Sequence, residues 1–90
     1  IVAWHTLSPT EHVAALLEKL EEERLELQQA LRLEDKRDVM AELADVIEVV
    51  HALAACSGVT LTEVEETRQT KATQRGRFLD GVFVSVAAER

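Results

Sequence analysis

The chain has 90 residues, 47% hydrophobic and 30% charged, which suits one small domain with help from a partner chain in burying its apolar surface. Its formal net charge of −7 argues against tight nucleic-acid binding, where neutralising phosphates dominates affinity. It leaves room for a small anionic ligand held through a metal.

Residues 1–7, IVAWHTL, begin with Ile rather than Met, so the chain reads as N-terminally truncated. The stretch is apolar and β-prone, and predicts a strand or extended arm. Residues 1–20 lack the basic-then-apolar order of a secretory leader, and no charge-free run reaches membrane-spanning length. SPTE then announces a helix: Ser8 caps, Pro9 fits the first turn and Glu11 completes a capping box. Val13, Leu16, Leu17, Leu20, Leu27 and Leu31 follow on one stripe, so the first helix is predicted from about Pro9 to about Leu31.

LEDKRD is a polar break without Gly or Pro. A second helix is predicted from about Asp38 to about Cys56, with Val39, Leu43, Val46, Ile47, Val50 and Leu53 as its stripe. Cys56 is the one cysteine, which rules out an internal disulfide and fits a reducing, cytoplasmic setting. Its apolar neighbours predict a small buried hydrophobe. Ser57 and Gly58 end this helix, Gly58 supplying a left-handed cap. A third helix is predicted from about Leu61 to about Arg75, capped by TLTE or TEVE and closed by Gly76. In GVFVSV, Val82, Val84 and Val86 recur at period two and predict a strand that pairs with Val2–His5. The expected architecture is mainly all-α: an antiparallel bundle with three main helices per chain and short terminal β-strands. Residues 1–90 make up a single domain that oligomerisation completes.

The acids carry the chemical signal. Glu22, Glu23 and Glu26 form EExxE, neighbours on one helix that repel one another. Glu42, Asp45 and Glu48 recur every third residue in an otherwise apolar helix, and Glu42 lies inside its hydrophobic sector between Val39 and Val46. A carboxylate there must meet a cation, bind a proton or suffer desolvation. The first helix offers only Lys19, Arg24 and Arg32 after Glu11, and the second offers no cation after Asp38. Oxygen ligands without paired His or Cys favour a hard ion, Mg²⁺ or Mn²⁺, which binds phosphate oxygens and activates water. Arg68, Lys71 and Arg75 share one face of the third helix. They suit the helix dipole and would equally suit a polyphosphate.

KLEEERLEL, AELADVIEVV and KATQRGRF together resemble the all-α nucleoside triphosphate pyrophosphohydrolase superfamily, which includes MazG-like and phosphoribosyl-ATP pyrophosphohydrolase proteins. The likeness spans roughly residues 13–83. It implies hydrolysis of a nucleoside triphosphate between its α and β phosphates, in nucleotide-pool house-cleaning. It also implies Glu23, Glu26, Glu42 and Asp45 as metal ligands and Glu22 as the catalytic group that orients water or holds a second metal. Lys71 and Arg75 would contact phosphates, and Glu48 would assist. The resemblance further implies a homodimer or homotetramer. Two departures stand out. The basic segment that often precedes this region in relatives is missing, and Arg77 replaces a small residue of the family's Arg-Gly-Gly-Phe.

The rival reading is a non-catalytic helical dimerisation module with solvated acids, which requires Glu42 in solvent. A di-iron bundle is disfavoured, because Glu48 and His51 supply one Glu-x-x-His and no second copy exists. His5, His12 and His51 show no ligand spacing, and Trp4 and Phe78 read as packing anchors, with contact to a base as the alternative for each.

Overall fold

The computed structural model describes residues 7–81. Three helices account for most of them: α1 (Pro9–Leu33), α2 (Lys36–Cys56) and α3 (Leu61–Arg75), followed by a 3-10 turn at Phe78–Asp80. There is no strand among the described residues. Both predicted terminal strands, at Val2–His5 and Val82–Val86, lie outside them. The described chain divides into two units at Gly58 and Val59.

The caps explain where the helices of the first unit begin and end. Ser8 Oγ accepts from the Glu11 amide at 3.2 Å, and the Ser8 amide donates back to Glu11 Oε1 at 2.9 Å. This is the capping box the sequence predicts. The break between α1 and α2 is shorter than predicted. Glu34 adopts a left-handed conformation, φ 56°, and stops α1 two residues beyond Leu31. Asp35 Oδ1 then accepts from the amides of Arg37 and Asp38 at 3.0 and 3.2 Å, so α2 starts at Lys36 rather than Asp38. One acidic side chain thus does the work usually marked by Gly or Pro.

α1 and α2 pack as an antiparallel hairpin. His12 Nδ1 meets Cys56 Sγ at 3.3 Å near one end. Fourteen residues up α1 and fourteen back along α2, Glu26 lies beside Glu42. The seam buries Ala30, Val49 and Ala54, and half-buries Leu16, Leu20, Leu27, Val39, Val46 and Leu53. The predicted stripes are wider than this seam. Leu17, Leu31, Leu43 and Ile47 stay exposed, because two helices can cover only a narrow strip of each other. Cys56 is also exposed, contrary to expectation: it sits in the last turn of α2, where the seam runs out.

The second unit starts from Thr60, whose Oγ1 accepts from the Glu63 amide at 3.1 Å while its own amide donates to Glu63 Oε1 at 2.8 Å. The TLTE box is therefore the one used. α3 buries no residue, and its surface is held by local pairs such as Arg68 with Glu65 at 2.6 Å. Gly76 closes it at φ 84°, a conformation that disfavours any side chain.

Candidate metal centre

The centre of the α1–α2 seam is acidic where most seams are apolar. Glu23 and Glu26 stand one turn apart on α1, and Glu42 and Asp45 one turn apart on α2. Each pair projects from a single helix face. The antiparallel register brings the two pairs opposite each other. One carboxylate oxygen from each of Glu23, Glu26, Glu42 and Asp45 lies within 4.8 Å of all the others. These are the four residues the family resemblance implies as ligands.

Glu23 is the most buried side chain described, at 2% exposure, and Glu42 is half-buried. Glu26 and Asp45 stand at the solvent edge. Glu23 Oε2 and Glu42 Oε2 are both buried without a hydrogen-bond donor. Two ionised carboxylates can only accept, so each of these oxygens calls for a proton or a cation. The adjacent Glu23 carboxyl, then burial and the nearby Glu26 charge, push the Glu42 pKa up to about 7. Burial opposes the charge of Glu23 as well, but hydrogen bonds from Glu42 and Lys19 outweigh it and hold its carboxyl below the usual range.

Of the three cations the sequence offers on α1 after Glu11, Lys19 is the one that meets the buried acid. Its Nζ lies 3.3 Å from Glu23 Oε1 and 3.3 Å from Glu22 Oε2. The spacing was visible, since Lys19 precedes Glu22 by three residues and Glu23 by four. Glu22 therefore turns away from the four-acid cluster and faces solvent beside Lys19. Glu48 does not join the cluster, but with Lys19, Glu23 and Asp45 it lines a neighbouring cavity of about 290 Å³.

The donor set suits a hard divalent cation. Four carboxylates, two of which also carry a buried oxygen with no partner, with no imidazole or thiolate among them, match the ligand preference of Mg²⁺ and Mn²⁺ and not of zinc. In the second unit, Lys71 and Arg75 line a cavity of about 470 Å³ together with Arg68, Arg77 and Phe78. Arg77 there is tied to Asp80 at 3.0 Å.

The profile of the phosphoribosyl-ATP pyrophosphohydrolase family matches residues 4–72. The chain belongs to this family. Family members are pyrophosphohydrolases, hydrolases of phosphoanhydride bonds. The matched segment contains all four clustered acids, Lys19 and Lys71, and ends before Arg75 and Gly76. No curated protein and no solved structure matches the chain. No helix among the described residues is long and apolar enough to cross a membrane.

Proposed function

We infer that this chain is a Mg²⁺-dependent nucleotide pyrophosphohydrolase, with Mn²⁺ as an alternative ion, converting a nucleoside triphosphate and water to the monophosphate and pyrophosphate. The observation that carries this reading is the pair of buried, donorless oxygens on Glu23 and Glu42 inside a four-carboxylate cluster. The family match supplies the reaction class. The solvated-acid rival requires Glu42 in water, and the buried Oε2 speaks against it.

In this reading Glu23, Glu26, Glu42 and Asp45 hold the ion. Once bound, a hard divalent cation neutralises charge on phosphoryl oxygens and acidifies a water molecule. Glu22, at the solvent edge of the same helix, aligns or deprotonates the attacking water. Lys71 and Arg75 contact the phosphates. The role is nucleotide-pool house-cleaning in the cytoplasm, by one domain acting as a homodimer or homotetramer. The row of Met40, Leu43 and Ile47 left exposed along one face of α2 supports assembly. Phosphoribosyl-ATP is the second substrate reading, favoured by the family match.

The test is pyrophosphate release over a panel of nucleoside triphosphates and phosphoribosyl-ATP, with Mg²⁺ or with EDTA. Release that requires Mg²⁺ and disappears in Glu42→Gln is expected. Equal rates for parent and variant, or no release from any substrate, would contradict the reading.

A further inference from the structure

The cavity beside the acid cluster holds one feature that metal binding alone leaves unexplained. Its described lining is acidic along one side, with Glu23, Asp45 and Glu48, and apolar at Leu16, Val49 and Ala52. Lys19 is the one cation among these lining residues. Its side chain is about half exposed, and its ammonium bridges two carboxylates, Glu22 and the buried Glu23. Glu23 thereby splits its two oxygens: Oε1 faces Lys19, while Oε2 is buried without a donor. A divalent cation held by Glu23 would compete with Lys19 for the same negative charge. It weakens the hold of Glu23 on the ammonium, which sits on a flexible four-carbon stem with three donors. The cavity alongside is where that freed group can reach.

Resting on the metal-dependent reading above, we propose that Lys19 is a phosphate-binding residue held in reserve. It compensates Glu23 while the metal site is empty, and it turns to an oxygen of the phosphoanhydride in the adjoining cavity once the ion is bound. The ligand class is a di- or triphosphate. The ammonium serves as a point charge for an oxygen that carries negative charge before cleavage and in the departing pyrophosphate.

The direction of the metal effect separates this assignment from a structural role. If Lys19 merely holds Glu23 in place, its removal should weaken metal binding. If it competes with the ion, removal should leave metal binding as tight or tighter and should cost affinity for the anion. Calorimetric titration with Mn²⁺, then with inorganic pyrophosphate on the Mn²⁺-loaded protein, reads both. Lys19→Met is expected to bind Mn²⁺ at least as tightly as the parent. It should lose about tenfold or more in pyrophosphate affinity, the size of one charge-assisted hydrogen bond. Lys19→Arg, which keeps a cationic donor, should retain most of that affinity. A Lys19→Met protein with weakened Mn²⁺ binding, or with parental pyrophosphate affinity, overturns the role of Lys19 alone. A parent protein that takes up no Mn²⁺ overturns it together with the reading on which it rests.

Discussion

At Glu42, the proposed divalent cation would compete with a proton for the carboxylate. Its folded pKa of about 7 stands above the ordinary 4.5, so the folded state holds a proton that the unfolded chain has lost between those values. That contribution to stability is complete below pH 4.5 and disappears as pH rises through 7. Thermal melts in EDTA should therefore show the unfolding temperature falling across this window. Saturating Mn²⁺ should flatten the slope, because the ion takes the place of the proton. Glu42→Gln, neutral at every pH, should flatten it without metal, and a metal-free parent with a level profile would count against the shared proton. Glu22 gives a second prediction of a different kind. Its carboxylate pairs with Lys19 outside the cluster, so Glu22→Gln should keep its Mn²⁺ affinity. Turnover should drop by about a hundredfold, as expected for loss of a general base. A loss of metal affinity to match would place Glu22 among the ligands instead.

At the scale of the helices, the caps show what local sequence can specify. Ser8 with Glu11 and Thr60 with Glu63 form the boxes that their spacing predicts, because each satisfies amides that no helix can satisfy internally. Ser8→Ala should cost about 1 kcal/mol. In a domain of this size that lowers the unfolding temperature by roughly 4–8 °C, measurable by circular dichroism. An unchanged melt would mean that α1 frays at its start. The α1–α2 turn was harder to read. Glu34 in a left-handed conformation and Asp35 as a cap carry no Gly or Pro signal, so the predicted boundaries missed by two residues on each side. The acid cluster was legible for the opposite reason. Glu42 violates the apolar period of α2, and a violation inside a core sector demands a charge partner. The pairing of Lys19 with Glu23 is not legible, because an exposed Lys-x-x-Glu-Glu reads first as a solvated helix surface.

For the whole molecule, the apolar stripes were read correctly as periodic and too generously as core. A hairpin uses one strip of each helix, and Met40 and Ile47 remain 66% and 57% exposed. Periodicity reports an apolar face without saying whether the same chain covers it. Light scattering should give a particle mass that is a multiple of the 10.0 kDa chain mass. Ile47→Glu, which places a charge on the uncovered row, should reduce it to one chain. A monomeric parent would remove assembly from the account. The N-terminal strand is expected from apolar, β-prone residues and the C-terminal one from alternation, and both fall outside the described residues.

The claim on which the rest depends is that the four carboxylates facing each other across the α1–α2 seam enclose a divalent cation. Anomalous diffraction from crystals soaked in Mn²⁺ addresses it directly. One strong peak is expected within coordination reach of Glu23, Glu26, Glu42 and Asp45, absent in Glu42→Gln crystals. Manganese bound elsewhere, with these four side chains drawn apart into solvent, would contradict it.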